Sequence, residues 1–187
     1  MSTAEVRPAT PADAPEIARI QRMTWRTAYA ELVGDRALAE LDAPGTERRW
    51  AAAIEHPGTA VYVAVEGVST VGFCVAGPAP EEEVAGADGA LPADAARVGL
   101  VATMLVEPRW GRRGHGGRLL ATAAAGLRAA GAERGITWAA QSDSATLAFF
   151  RRAGWHPDGT VRTLDTGEKT LREIRLTGTL DLRLATP

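Results

Sequence analysis

Cysteine is nearly absent from this chain, since Cys74 is the single thiol among 187 residues. One thiol excludes an intrachain disulfide, which favours a reducing compartment. Cys74 falls within the apolar run Val71–Ala76, a setting that predicts a core residue rather than a nucleophile. The length corresponds to one domain with a substantial core.

A strong charge of one sign and long apolar stretches are also missing. The formal net charge is -2 at pH 7, so no overall basic field would recruit nucleic acid or an anionic membrane. No apolar run approaches the roughly 20 residues of a membrane span. The opening sequence MSTAEVRPAT lacks the apolar segment of a signal peptide. We therefore expect a cytoplasmic protein with neither nucleic acid nor membrane as a partner; a homodimer is left open.

The most informative stretch reads VEPRWGRRGHGGRLL and runs from Val106 to Leu120. The apolar run Gly99–Val106 predicts a strand, which should end at Pro108 because proline cannot donate to a sheet. Leucines and alanines after Gly117 share one face of a predicted helix. Between strand and helix lie glycines and arginines: Gly111, Gly114, Gly116, Gly117, Arg109, Arg112, Arg113 and Arg118.

This order of strand, glycine-rich turn and helix predicts a phosphate site. The first amides of a helix have no internal partners, and the helix dipole places partial positive charge there. Glycines allow the backbone to approach an anion closely, and the arginines add full charges. A surface loop with spare arginines is the alternative reading of this stretch alone.

The spacing decides between kinds of phosphate loop. A Walker A loop requires a lysine that this stretch lacks, and a dinucleotide fingerprint fails because its third glycine position holds Leu119. The pattern G-x-x-G-x-G, beginning at Gly111, resembles the acyl-CoA pyrophosphate loop of the GNAT superfamily of N-acyltransferases. That loop usually reads [RQ]-x-x-G-x-[GA]; here Gly111 takes the first position and Arg112 lies beside it.

A second motif follows in the order that this family shows. The segment DSATLAFFRRAGW, Asp143–Trp155, is similar to the family pattern N-x-x-A-x-x-[LF]-Y-x-x-x-G-[FW]. Asp143 takes the asparagine position and Phe150 the tyrosine position. With the hairpin before the loop and the strand pair after this motif, the resemblance covers essentially the whole chain.

The resemblance implies an α+β fold, an α/β/α sandwich, with a single GNAT N-acetyltransferase domain over residues 1–187. Its mixed, mostly antiparallel sheet would have about six to seven strands flanked by about four helices, splayed at the acyl-CoA strand. The residue pattern adds local expectations. We expect a helix from Thr10 to about Tyr29 and a second helix over Ala43–His56. A bulge is expected at Gly72 and a long flexible loop over Gly77–Ala96. The tail should form a strand over Glu173–Leu184 with one face exposed to solvent.

The resemblance also implies acetyl-CoA as cosubstrate and no metal. The pyrophosphate would bind the loop amides, the pantetheine arm would follow the strand, and an amide near Val106 would polarise the thioester carbonyl. A primary amine of a small molecule or peptide would then attack directly. The implied cofactor-binding residues are Met104, Leu105, Val106, Gly111, Arg112, Arg113, Gly114, His115, Gly116, Gly117, Asp143, Phe149 and Phe150.

The usual proton-transfer groups of the family are missing. The strand position that often holds a glutamate is near Leu100, and the tyrosine position holds Phe150. Tyr29, Ser142 and Glu107 are the remaining catalytic candidates, whereas His115 is expected to be a phosphate neighbour rather than a base. Trp25 and Tyr29 lie in the region that borders the acceptor site in relatives.

Three functions therefore remain open. The first is an N-acetyltransferase, and the second is a catalytically silent acyl-CoA-binding or regulatory module. A nucleotide-binding protein is a weaker third reading, because the Walker lysine is absent. The acidic run Glu81–Glu83 would suit a cationic acceptor if it folded over the cleft.

Overall fold

The computed structural model describes residues 4–182 and contains one seven-stranded sheet in that part of the chain. The strands are β1 (Ala4–Pro8), β2 (Ala60–Glu66), β3 (Ser69–Pro78), β4 (Val98–Val106), β5 (Arg134–Ala140), β6 (His156–Asp165) and β7 (Thr170–Thr179). The helices are α1 (Ala14–Thr24), α2 (Ala30–Leu41), α3 (Thr46–Glu55), α4 (Glu81–Val84), α5 (His115–Ala129) and α6 (Ser144–Arg152).

The strands lie in the order β1-β2-β3-β4-β5-β7-β6. Every neighbouring pair is antiparallel except β4 and β5. The expected α+β class and the mostly antiparallel, mixed sheet are confirmed. The described part holds more helices than the four expected, because α2 and the one-turn α4 were not anticipated.

Both faces of the sheet are covered by helices. On β2 and β3 the side chains of Val63 and Phe73 pack with Ile17 of α1, whereas Ala64 and Cys74 pack toward α5 and α6. The apolar run of β3 is therefore buried on both sides, as a central strand requires. Burial also raises the pKa of Cys74 to about 12, which agrees with the expected core thiol.

The first helix runs further than the sequence predicted. It was expected to end near Tyr29, but a π-helical turn, Trp25–Tyr29, joins α1 to α2, which continues to Leu41. No proline or glycine interrupts the chain until Gly34, whose φ of +82° breaks α2 internally. The second expected helix is confirmed in a shorter form, as α3.

Residues 77–96, whose composition predicted a long flexible loop, include short elements of regular structure. They contain α4 and a 3₁₀ turn, Ala95–Arg97, and Val84 is 2% exposed. The Glu83 carboxylate accepts hydrogen bonds from Arg162 and from the indole of Trp138. Glu83 is therefore neutralised against the sheet rather than presented to a ligand.

The tail strand lacks the fully wet face that its alternating pattern predicted. Arg175, on that face, is 6% exposed and donates to the backbone carbonyls of Glu83 and Ala85. It also pairs with Asp158 at 2.7 Å. The alternation could not reveal this burial, because α4 is distant in sequence. The end of the expected strand, residues 183 and 184, lies outside the described residues.

The start of α1 depends on an Asp13 carboxylate that serves two partners. It accepts the Thr10 amide at 2.7 Å and two hydrogen bonds from Arg7 at 2.8 Å each. The hydrogen bonds from Arg7, followed by those from Thr10, lower the pKa of Asp13 to about 2. Asp13 thus ties β1 to the first helical turn.

We expect Asp13→Asn to destabilise the protein at pH 7. The folded-state pKa of about 2 lies below the ordinary 3.8, so the ionised carboxylate stabilises the fold above about pH 4, and this contribution is lost as the pH falls toward 2. After allowance for the partly exposed Arg7, the loss is about 1–2 kcal/mol. Urea unfolding at a series of pH values checks this.

The difference between wild type and Asp13→Asn should shrink steadily on acidification. Glu82→Gln, at an exposed position, serves as the control and should show no such pH dependence. A difference that stays constant from neutral to acidic pH would contradict the role of the ion pair.

Candidate active site

The parallel strands β4 and β5 separate soon after they meet. They pair only through Val98–Arg134, Gly99–Gly135 and Leu100–Ile136, although β4 continues to Val106 and β5 to Ala140. At the point of divergence, the Thr137 hydroxyl donates to the Val101 carbonyl at 2.8 Å. Beyond this fork, the β4 edge that faces β5 has no strand partner and is free to bond an extended ligand.

A cavity of about 1000 Å³ occupies the fork and extends beneath the first helices. Its inner wall comes from the diverging strands, and its outer wall comes from α1, α2, α3 and the β6–β7 turn. The lining residues that matter below are Trp25, Tyr29, Met104, Leu105, Trp138, Asp143, Thr146 and Phe150. This volume is at the upper end of the range for small-molecule sites.

The glycine-rich loop has the geometry of an anion site. Arg112 and Gly114 adopt left-handed backbone conformations, with φ of +63° and +84°, and α5 begins at the next residue, His115. The amides of the first helical turn therefore have no acceptor within the helix. A Cβ at Gly116 would lie 3.2 Å from the ring of Phe149, which explains the close packing of α6 against the loop.

The four loop arginines are not equivalent. Arg109 pairs with a carboxylate, Arg113 pairs with Glu66 at 3.3 Å, and Arg118 donates to the Arg113 carbonyl. Arg112 is exposed, and among residues 4–182 no acidic side chain forms an ion pair with it. Within the same residues, Arg118 also lacks an acidic partner but is held by its bond to the Arg113 carbonyl. Arg112 is therefore the loop cation that remains free to meet an anion, beside the glycine that replaces the family's usual Arg or Gln.

The His115 side chain is buried beneath the loop. It is 1% exposed, and its Nε2 lies 2.8 Å from Glu66 Oε2. The ring also packs edge-to-face on Trp110. The side chain is thus engaged within the protein, and the backbone amide of His115 lies at the start of α5.

Two of the three catalytic candidates lie outside the cavity lining. Glu107 is 1% exposed and is held between Arg19, at 3.2 Å, and Arg109. Ser142 is exposed and does not line the cavity. The geometry therefore gives neither residue access to a thioester in the fork.

Tyr29 lies within the cavity, in a hydrogen-bonded group with two residues of the second motif. Its hydroxyl donates to Asp143 Oδ2 at 3.1 Å. Asp143 caps α6 by accepting the Thr146 amide at 3.0 Å and the Thr146 hydroxyl at 2.6 Å. Burial, and then the charge of Asp143, raises the pKa of Tyr29. π-Helical turns such as the one that carries Tyr29 are frequent at functional sites.

The remaining candidates divide between cavity and core. Met104, Leu105 and Phe150 line the cavity, as does Trp25. Val106 instead pairs with Gly72 on β3 and is not part of the lining. The position usually held by a glutamate, Leu100, is half-buried and pairs with β5. Phe149 packs on the loop.

Sequence reasoning missed the contribution of β5 and β7 to the cavity. Trp138 and Glu173 line it, although both lie in runs that read only as strands. Trp138 is fixed by Arg162, whose guanidinium lies 4.2 Å from the ring centroid. The chain carries no local signal for this, because the contact joins residues distant in sequence.

An open fork at a parallel strand pair, next to a glycine-rich helix start, defines an acyl-CoA-dependent transferase fold. A family model described as an acetyltransferase (GNAT) domain matches residues 57–157. The chain therefore belongs to the GNAT acetyltransferase family. A probable N-acetyltransferase of Mycobacterium tuberculosis is 25% identical over 164 residues, which cover 87% of this chain and 85% of that protein.

Solved structures share the same fold. The PaiA N-acetyltransferase of Thermoplasma acidophilum, in complex with coenzyme A, has a TM-score of 0.73 at 12% identity and covers 95% of this chain and 99% of its own. YncA of Salmonella typhimurium, a putative acetyltransferase solved with acetyl-CoA, has a TM-score of 0.70 at 17% identity, with 98% of each chain covered. These likenesses show the fold.

Residues 4–182 show neither a metal-ligand cluster nor a membrane-spanning helix. In that range no cluster of three or more His, Cys, Asp or Glu side chains is arranged to hold a metal ion. No helix within it combines the length and apolar character needed to cross a bilayer.

We expect the pKa of the Tyr29 phenol to lie above the ordinary 10.0 and to fall when the substitution Asp143→Asn removes the neighbouring charge. The chain has two tyrosines, so Tyr62→Phe leaves Tyr29 as the sole phenol. Absorbance titration of tyrosinate in Tyr62→Phe, with and without Asp143→Asn, measures both pKa values. An unchanged pKa on removal of the charge would contradict the contact.

Proposed function

We propose that the protein transfers an acetyl group from acetyl-CoA to a primary amine of a small molecule or peptide, by direct attack of the amine on the thioester. The observation that carries this proposal is the unpaired edge of β4, which leads from the cavity to the glycine-rich start of α5. Family membership supports the same reaction class.

The loop and the fork would divide the cosubstrate between them. The free amides of the first turn of α5, with Arg112, suit the pyrophosphate. The unpaired backbone of Met104–Val106 suits the amide groups of the pantetheine arm. A backbone amide near Val106 would polarise the thioester carbonyl, and most of the rate enhancement would come from holding the two reactants together.

The acceptor would enter from the side lined by the first helices. Trp25, Tyr29 and Trp50 line this part of the cavity, with Arg36 and Arg49 at its rim. The Glu81–Glu83 run is not part of the lining, so it gives no support to a role in acceptor binding. We further propose one cytoplasmic domain over residues 1–187, without nucleic-acid or membrane partners; a homodimer stays a prediction.

A catalytically silent acyl-CoA-binding module is the second candidate. It is favoured by the apolar residues Leu100 and Phe150, which stand where many relatives carry proton-transfer groups. Release of free CoA thiol on addition of a panel of primary amines separates the two candidates, since a silent module would bind acetyl-CoA without releasing thiol.

Acetyl-CoA should raise the thermal unfolding temperature. Ligand at about 100 times its Kd stabilises by roughly 2.7 kcal/mol. For a domain of this size the shift is on the order of 5–10 °C. We expect Arg112→Ala to reduce the shift, because Arg112 is the free cation of the loop, and Arg48→Ala, at an exposed position on α3, to leave it unchanged.

ATP tests the alternative hypothesis that the loop binds a nucleotide. It should give no comparable shift in the thermal unfolding temperature. The absence of any shift at saturating acetyl-CoA would remove the proposed cosubstrate. An equal shift with ATP would show that the loop does not select CoA.

A further inference from the structure

The Asp143 carboxylate carries a negative charge in the cavity that no cation neutralises. Within residues 4–182, no Lys, Arg or His side chain lies at salt-bridge distance from it. Its hydrogen-bond donors are the Tyr29 hydroxyl and the amide and hydroxyl of Thr146, all uncharged. A half-buried charge with only neutral donors favours a cationic ligand.

The other acidic groups of the cavity differ from Asp143. Glu173 is paired with Arg162 at 2.6 Å. Asp165 and Glu40 are exposed at the rim, where solvent screens their charge. Asp143 therefore has the strongest attraction for a cation inside the cavity.

The Tyr29 hydroxyl has one proton, and the structure shows where it goes. It is donated to Asp143 Oδ2, so the phenol cannot at the same time donate to a departing sulfur. The Thr146 hydroxyl also lies against the Tyr29 oxygen, where it lowers the pKa of Tyr29, and a second lone pair of that oxygen can accept a hydrogen bond from a ligand. The raised pKa of Tyr29 keeps this proton in place at neutral pH. Tyr29 is thus arranged as an acceptor for an N–H group.

We propose that Tyr29 and Asp143 form the subsite for the ammonium group of the acetyl acceptor, which makes the acceptor a cationic alkylamine rather than an amine that is neutral at pH 7. Asp143 supplies the charge, and the Tyr29 oxygen accepts one N–H bond. This inference rests on the proposed acetyl transfer.

The subsite fits the atom balance of the reaction. The ammonium group first loses one proton to solvent; the resulting neutral amine forms the C–N bond while the C–S bond breaks and its electron pair leaves with sulfur. The nitrogen loses a second proton, which the CoA thiolate or solvent takes up. A thiol pKa near 8.5 lets the thiolate depart without a dedicated donor. Tyr29 and Asp143 bind and orient the nitrogen and are unchanged at the end.

The test compares cyclohexylamine with aniline, which share a six-carbon ring but differ in charge at neutral pH. Thiol release from acetyl-CoA should favour cyclohexylamine in the wild type. Asp143→Asn retains an N-cap for α6. At saturating acetyl-CoA, it should lower the ratio of kcat/KM for cyclohexylamine to kcat/KM for aniline by about tenfold or more, through KM for cyclohexylamine.

Tyr29→Phe should likewise raise KM for cyclohexylamine, and Tyr62→Phe is its matched control because that hydroxyl lies against Gly126, outside the cavity. Acetyl-CoA affinity, measured by thermal shift, should stay the same in Tyr29→Phe and Tyr62→Phe. A merely structural role would weaken both amines equally.

The outcomes separate the inference from the proposed function. Acetylation with no charge-selective effect of Asp143→Asn, or with aniline preferred, overturns the ammonium subsite and leaves the transferase standing. Failure to acetylate either compound or any other primary amine, despite acetyl-CoA binding, overturns both.

Discussion

The candidate site depends on one constraint: the backbone hydrogen bonding between the neighbouring strands β4 and β5 is incomplete. In the sheet, β4 and β5 pair for three residues and then diverge. Where they separate, the Thr137 hydroxyl donates a hydrogen bond to the Val101 carbonyl. Unpaired backbone groups inside a protein are costly unless a ligand or water satisfies them. The fork persists because the other strands pair along most of their length and both faces of the sheet are packed by helices.

Buried carboxylates fix the surroundings of the fork. Glu107, directly after β4, holds Arg19 of α1 and Arg109 of the loop, so it joins one face of the sheet to the phosphate loop. Glu66 holds Arg113 and His115 in the same way. These pairs neutralise two of the four loop arginines, Arg109 and Arg113, whereas Arg118 donates to a backbone carbonyl and Arg112 remains to meet a ligand. Glu107 and His115, two candidates from the sequence, thus take part in side-chain pairs within the protein.

The features readable from the sequence were those encoded locally. The apolar face of α5 depends on residues within a few positions of one another, and it is confirmed. The helix start directly after the glycine-rich stretch is local in the same way. The turn of α1 into α2 was missed because a π-helical turn has no breaker residue. The burial of Arg175 and the docking of Glu83 depend on contacts across more than 70 residues, which no local pattern records.

A crystal structure of the protein with CoA is the most direct test of the account. We predict the pantetheine arm along the unpaired edge of β4 and pyrophosphate oxygens within hydrogen-bond distance of the amides of residues 112–117. The guanidinium of Arg112 should lie against the phosphates, and Arg113 should remain with Glu66. CoA bound away from the fork, or a fork closed by β4–β5 pairing in the complex, would contradict the central claim.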